Sequence, residues 1–208
     1  MGAETPDVTV EIGGGVAEVT LNRPERKNAV TGPLVDRMSA ALTQIAANEA
    51  VHVVLLRGEG GSFCSGLDLK EFNAEPRPEW LPGFQAGWLG LHEQLAALDK
   101  PVVCALERYA INAGAALALS ADFLVVGETA FMQVGEVIQG RPAPMNLAWL
   151  TLRYGDAAAR RLMMLGRRVP GPALERMGIA FESVPDDEVL ARAWTLAQEL
   201  AALRFGAN

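Results

Sequence analysis

The feature that most constrains the fold is a series of short, almost continuously apolar segments separated by stretches with helical spacing. Residues 51–56 (VHVVLL), 102–106 (VVCAL) and 123–126 (FLVV) are such segments. Strands this uniformly apolar are buried on both faces, which is typical of a parallel sheet covered on both sides. Between them, residues 80–98 carry apolar side chains at steps of three and four, which predicts an amphipathic helix. Because alternating strands and helices form parallel sheets with crossover connections, we predict an α/β fold.

The remaining segments predict a hairpin at the start and helices toward the end. Residues 8–21 alternate in polarity around three consecutive glycines, as in a β-hairpin. Thr31 is expected to cap a helix that begins near Pro33. The last third has helical spacing over residues 144–154, 156–165, 172–177 and 186–203.

No linker, low-complexity tract or internal repeat divides the chain. We therefore expect one domain over residues 1–208. Its core is expected over about 8–185, with the start of a C-terminal helical region over about 186–208.

Charge and composition exclude several classes of protein. A formal charge of −7 argues against a nucleic-acid surface, which needs clustered Lys and Arg. Cys64 and Cys104 match no metal spacing, and two histidines are too few for a multi-histidine site, so no metal is expected. The start of the chain lacks a basic region followed by an apolar run, and no apolar stretch reaches the roughly 20 residues that span a bilayer. The expectation is a cytoplasmic protein without membrane contact.

Two segments can carry chemistry, because each follows a predicted strand and opens a helix with small residues. They are residues 62–70 and 109–116. Free backbone N–H groups at such places attract negative charge, and two of them together can form an oxyanion hole. The residues alone favour a plain strand-to-helix turn capped by Asp68 in the first segment. In the second segment they allow close helix packing that requires Ala and Gly.

Four ordered blocks of the sequence resemble the signature blocks of the crotonase (enoyl-CoA hydratase/isomerase) superfamily. They are LNRPERKNAV, SFCSGLDLKEF, KPVVCALERYAINAGAALALSADF and VGEVIQG, and the resemblance covers roughly residues 8–200. It implies a crotonase-like ββα spiral (a superhelix) with a helical C-terminal section. Many relatives continue into further C-terminal helices, so the fold is expected to be shorter than usual. The resemblance also implies an acyl-CoA thioester as the ligand, coenzyme A as part of that substrate, no permanently bound cofactor, and a homo-trimer or hexamer.

The resemblance also implies site residues. In the family, the thioester oxygen lies between two backbone N–H groups, which correspond here to those of Leu67 and Ala113. Ala113 stands where the family usually has glycine. Lys70 and Arg26 lie in regions where basic residues of relatives contact the coenzyme A phosphates. The other substrate- or CoA-binding positions in the matched blocks are Ser65, Gly66, Asp68 and Gly114.

The carboxylates decide which reaction of the family is expected. Its hydratases use two glutamates twenty positions apart, and the corresponding positions here are Ala116 and Glu136. One carboxylate beside an oxyanion hole is enough to move a proton from the α to the γ carbon of an enoyl thioester. This is the pattern of the Δ3,Δ2-enoyl-CoA isomerases of the family. We therefore predict an enoyl-CoA isomerase with Glu136 as base and acid.

Other functions stay open at this point. A hydratase or decarboxylase of the same family could use a substitute acid from residues 71–79, such as Glu71 or Glu75. A catalytically silent CoA-binding or interaction subunit and a purely structural α/β domain are further alternatives. The aromatic side chains expected in the core or in the wall of an acyl pocket are Trp80, Phe84, Trp88 and Tyr109.

Overall fold

Within residues 6–203, the range that the computed structural model describes, the chain forms nine strands and seven α-helices. The strands are β1 (Val8–Gly13), β2 (Val16–Leu21), β3 (Val53–Gly58), β4 (Val102–Leu106), β5 (Tyr109–Ile111), β6 (Phe123–Gly127), β7 (Phe131–Gln133), β8 (Val169–Pro170) and β9 (Glu182–Val184). The helices are α1 (Gly32–Ala47), α2 (Leu69–Phe72), α3 (Phe84–Ala97), α4 (Ala113–Leu119), α5 (Pro144–Met163), α6 (Gly171–Arg176) and α7 (Val189–Ala202). Short 3₁₀ helices cover Pro24–Arg26, Leu81–Gly83 and Glu136–Gln139.

The strands form two sheets. The larger has six strands in the order β1-β2-β3-β4-β6-β9, and the smaller has three in the order β5-β7-β8. In the larger sheet only the β1–β2 hairpin is antiparallel, and the register pairs Val54 with Val102 and Val103 with Phe123. The predicted hairpin and parallel α/β sheet are confirmed.

The chain repeats a unit of two strands and one helix. β4 of the large sheet leads into β5 of the small sheet and then into α4. β6 leads in the same way into β7 and then into α5. After β3, Cys64 forms a bridge with Ala110 of β5 before α2 begins. This repetition is the ββα spiral that the resemblance implied.

The central strands are buried on both faces, which explains their continuous apolar sequence. Along β3, Val53 and Leu55 belong to a core formed with α7, whereas Val54 and Leu56 belong to the main core on the opposite face. This alternation follows from the two-residue period of a strand. Each fully buried leucine contributes roughly 2 kcal/mol relative to an exposed one.

The predicted helix boundaries need three corrections. The helix expected over residues 80–98 begins only at Phe84, because Leu81–Gly83, which contains Pro82, forms a 3₁₀ turn. The helices expected over 144–154 and 156–165 are joined in α5 across Gly155, whose φ of 81° interrupts the helix. The helix expected from 186 begins at Val189.

Two further expectations concern the ends of helices and of the chain. The Thr31 cap is confirmed, since the side chain of Thr31 accepts a hydrogen bond from the Leu34 amide. The last part of the predicted C-terminal helical region, residues 204–208, lies outside the described residues. No helix in the described range combines the length and apolarity needed to cross a membrane.

Candidate active site

A cavity of about 250 Å³, here called the chamber, lies where the loop after β3, the start of α4 and the segment between β7 and α5 meet. One wall is formed by α3. The residues that matter for its chemistry are Leu67, Phe84, Trp88, Ala113, Glu136 and Asn146. The structure therefore brings both predicted backbone donors and the predicted carboxylate to one cavity.

The two predicted donors have amides that are not used within the described part of the protein. Leu67 follows Gly66 in the loop after β3, and Ala113 is the first residue of α4. Among residues 6–203, neither amide donates a hydrogen bond to a backbone or side-chain acceptor. Both residues line the chamber, so the two amides without an acceptor belong to residues of one cavity wall.

Two glycines allow the segments that carry these donors to lie against each other. A Cβ atom at Gly66, whose φ is +98°, would lie 2.9 Å from the Ile111 carbonyl oxygen. One at Gly114 would lie 2.5 Å from the Cys64 carbonyl oxygen. The segments are joined by hydrogen bonds from the Cys64 amide to the Tyr109 carbonyl and from the Ile111 amide to the Cys64 carbonyl, each 3.1 Å long. Close packing is therefore the reason why position 114 is a glycine.

Glu136 begins the 3₁₀ turn after β7, and its carboxylate is half-buried. Its Oε1 atom accepts a hydrogen bond of 3.3 Å from Asn146 Nδ2. Its Oε2 atom is buried and has no partner in the described structure. Burial raises the pKa of Glu136 above its ordinary value of 4.5. A carboxylate with a raised pKa is a stronger base than an ordinary one.

Two asparagines that sequence analysis gave no role hold this carboxylate in place. Asn146 is 2% exposed, and its Nδ2 atom donates to the Asn112 carbonyl oxygen at 3.2 Å as well as to Glu136. The Asn112 Oδ1 atom in turn accepts from the Gly135 amide at 2.8 Å. The start of α4 is thus tied to the residue before Glu136. No local pattern indicates these contacts, because Asn112 and Asn146 are 34 residues apart.

The structure brings no second acid to the chamber. Ala116 lines it at the position of the missing family glutamate, and Glu136 is the only carboxylate among its described lining residues. Glu71 instead pairs with Arg23 at 2.5 Å, and Glu75 lies at a different cavity beside Arg77. The two acids considered as substitutes are therefore not part of the chamber.

The predicted phosphate-binding residues lie beside the chamber rather than in its wall. Asp68 is buried and accepts hydrogen bonds from Arg26 at 2.6 Å and from Arg23 at 3.3 Å. Burial alone would raise the pKa of Asp68, but these guanidinium groups and the Glu71 amide lower it below the ordinary value of 3.8. The Glu71 amide contact, 3.2 Å from Asp68 Oδ1, confirms Asp68 as the cap of α2. Lys70 is exposed on α2.

The other implied positions divide between the chamber and its support. Ser65 lines the chamber, whereas Gly66 and Gly114 support it from behind by close packing. Arg141, an exposed base that sequence analysis did not assign a role, also lines the chamber. Within residues 6–203 no group of three or more His, Cys, Asp or Glu side chains is arranged to hold a metal ion.

A ββα spiral on two sheets is the fold of the crotonase class, and the comparisons place the chain within it. The sequence model of the enoyl-CoA hydratase/isomerase family matches residues 11–204. The chain belongs to this family.

Two curated relatives indicate the range of activities named among similar proteins. One, named as a probable enoyl-CoA hydratase of Rhizobium meliloti, is 32% identical over 199 residues, covering 95% of this chain and 76% of that protein. Another, the 1,2-epoxyphenylacetyl-CoA isomerase of Escherichia coli, is 31% identical over 191 residues, covering 90% and 73%. A solved enoyl-CoA hydratase of Bacillus anthracis is 26% identical and superimposes with a TM-score of 0.86, covering 94% of this chain and 77% of that one.

Proposed function

We propose that this protein is an enoyl-CoA isomerase that moves a double bond from the 3 to the 2 position of an acyl-CoA thioester. The observation that carries the proposal is that, of the two family acid positions, one holds a glutamate, Glu136, and the other an alanine, Ala116. Glu136 is the one carboxylate among the described residues of the chamber wall, and a methyl group occupies the position of the second family acid. A methyl group moves no protons, so one carboxylate has to do all the proton transfer.

The proposed reaction begins with the thioester oxygen between the amides of Leu67 and Ala113. Glu136 removes a proton from C2, and the electron pair of that C–H bond forms the C1–C2 double bond of a dienolate. The negative charge that develops on the oxygen is stabilised by the two N–H groups. The carboxyl then gives the proton to C4, the C2–C3 double bond forms, and the carbonyl is restored. No atom is gained or lost.

The surroundings of Glu136 suit this double role. The Oε2 atom is buried and has no partner in the described structure, so taking up a proton there would break no existing hydrogen bond. The amide of Asn146 holds Oε1, so one oxygen is fixed while the other reacts. The same group has to remove a proton from carbon and later return it. The raised pKa of Glu136 makes its carboxylate a stronger base for the first of these steps.

The test is to follow conversion of 3-hexenoyl-CoA to 2-hexenoyl-CoA by NMR with purified protein. The expected result is double-bond migration that falls at least about 100-fold in Glu136→Gln, since a positioned acid–base group contributes at least this factor. Glu75→Gln is the matched control, because Glu75 lies at a different cavity and is one of the acids considered as a substitute. Migration that survives Glu136→Gln would overturn the proposal.

Hydration of a 2-enoyl-CoA is the second candidate, favoured by relatives that are named as probable hydratases. The same NMR assay started from 2-hexenoyl-CoA distinguishes it. Accumulation of the 3-hydroxyacyl thioester without any double-bond migration would select hydration. Binding of these thioesters without turnover would select a silent CoA-binding subunit.

A further inference from the structure

Six ring side chains form a continuous row along α3 and its neighbours, here called the aromatic row. Its members are Phe72, Trp80, Phe84, Trp88, His92 and Trp149. Neighbouring ring centroids lie between 4.3 and 6.2 Å apart. These separations are typical of aromatic pairs that contact through edges or offset faces.

Only two members of the row, Phe84 and Trp88, line the chamber. Their rings are nearly parallel, with an interplanar angle of 9° and centroids 6.2 Å apart. Both side chains are partly buried against the core. Trp80 lies at a separate cavity, and Trp149 is buried against His92, to which its Nε1 atom donates at 2.8 Å. One wall of the chamber therefore presents two aromatic side chains of similar orientation.

The rest of the chamber wall carries both polar and apolar side chains. Glu136 and Asn146 supply the polar side chains discussed above, whereas Leu67 and Met145 extend the apolar lining. A thioester group bound at the amides of Leu67 and Ala113 would bring its acyl substituent into the chamber, where these apolar side chains can contact it. The aromatic wall is then a contact surface for that substituent.

We propose that the preferred substrate carries an aromatic ring in its acyl group and that this ring packs against Phe84 and Trp88. The inference rests on the proposed function only in taking an acyl-CoA thioester as the ligand. Aromatic rings gain from offset or edge contacts with other rings beyond the burial of apolar area. The size also fits, because a cavity of roughly 150 Å³ accepts benzene and the chamber has about 250 Å³. A ring in addition loses fewer torsions on binding than a linear chain.

The experiment compares three thioesters with the same number of acyl carbons by titration calorimetry. They are phenylacetyl-CoA, cyclohexylacetyl-CoA and octanoyl-CoA. Cyclohexylacetyl-CoA keeps the size and branching of the ring but removes its aromatic character. We expect phenylacetyl-CoA to bind about fivefold more tightly than either of the others. Equal or tighter binding of the cyclohexyl or octanoyl thioester would overturn the proposal.

Variants then locate the effect. Phe84→Leu and Trp88→Leu should each lower the ratio of phenylacetyl to cyclohexylacetyl affinity toward one. Trp80→Leu is the matched control, since Trp80 belongs to the same row but does not line the chamber, and it should leave the ratio unchanged. An equal fall of the ratio in Trp80→Leu would count against the proposal. If thermal unfolding shows that a variant is not folded, the affinities of the three thioesters for the unaltered protein still test the proposal.

Failure of the inference and failure of the proposed function give different results. Preference for the phenyl thioester without isomerisation of any enoyl-CoA would leave the inference standing and overturn the isomerase. Isomerisation together with preference for octanoyl-CoA would do the reverse. Absence of binding for all three thioesters would overturn the inference, and absence of any turnover of 3-hexenoyl-CoA would overturn the proposed function as well.

Discussion

Adding one methyl group at Gly114 should displace the second backbone donor. The new Cβ atom would lie 2.5 Å from the Cys64 carbonyl oxygen and 2.8 and 2.9 Å from the Cys64 Cβ and Sγ atoms. Ordinary contact begins at about 3.4 Å, so the start of α4 must move about 0.9 Å away from the Cys64 carbonyl oxygen. The carbonyl is part of the backbone and cannot rotate away, because it also accepts the Ile111 amide. The amide of Ala113, the residue before Gly114, would move with the helix.

A shift of this size has consequences for both stability and catalysis. Overpacking of a buried site costs about 1–3 kcal/mol of unfolding free energy. A displacement of about 1 Å of a group that positions the reacting atoms costs roughly 100-fold in rate, and loss of one oxyanion donor costs about 100- to 1,000-fold in kcat. We therefore expect Gly114→Ala to remain folded and to lose about 100-fold in kcat for 3-hexenoyl-CoA.

The assay is the conversion of 3-hexenoyl-CoA, combined with urea unfolding of each variant. Gly90→Ala is the control for adding a methyl group to a helix, since a Cβ at Gly90 in α3 has no neighbour within 4 Å. It should leave kcat unchanged and stabilise the protein by up to about 1 kcal/mol. Full activity of Gly114→Ala would contradict the role given to the Ala113 amide.

Three further outcomes follow from the site. The acid limb of the pH profile of kcat/KM should have its midpoint above 4.5, since burial raises the pKa of the base Glu136; a midpoint at or below 4.5 would assign the limb to another group. Asn146→Ala should shift this limb to higher pH, because the charged form of Glu136 loses a hydrogen bond. Asn146→Asp should shift the limb further, because it adds a like charge beside Glu136. An unshifted limb would mean that Asn146 does not act on Glu136. Asp68→Asn should cost about 3 kcal/mol in urea unfolding at pH 7 by leaving the buried Arg23 less compensated. Because the pKa of Asp68 is lowered, its stabilising contribution is present above the unfolded value near 3.8 and is lost as pH falls through the lowered pKa. The difference in unfolding free energy between Asp68→Asn and the parent should therefore shrink on acidification, and a constant difference would contradict this interpretation.

The parts of the fold that the sequence predicted are those where burial imposes a local pattern. The continuous apolar run of β3 reflects cores on both faces, and the steps of three and four in α3 reflect one buried face. Boundaries were predicted less well. The 3₁₀ turn at Leu81–Gly83 delays α3, and the apolar spacing of Leu81 with Phe84 does not distinguish one kind of turn from the other.

The site divides in the same way. Glu136 was predictable only through its spacing from Ala116 within a family pattern, because a lone acid in a polar turn is ordinarily solvent-exposed. The contacts of Asn146 with Asn112 and Glu136 were not predictable, since they join segments that meet only after the sheets have formed. The sequence left open whether the aromatic side chains lie in the core or in the wall of an acyl pocket; Phe84 and Trp88 lie in the chamber wall, whereas Trp80 lies at another cavity.

Isotope transfer tests most directly whether one carboxylate carries the proton in both steps. The substrate is 3-hexenoyl-CoA with deuterium at C2, incubated in ordinary water, and the product is examined by NMR and mass spectrometry. If Glu136 takes the deuteron and returns it within one turnover, a measurable fraction of the 2-hexenoyl-CoA carries deuterium at C4, and Glu136→Gln forms no such product. Product in which C4 carries only hydrogen from water would contradict the direct return of the deuteron by Glu136 within one turnover.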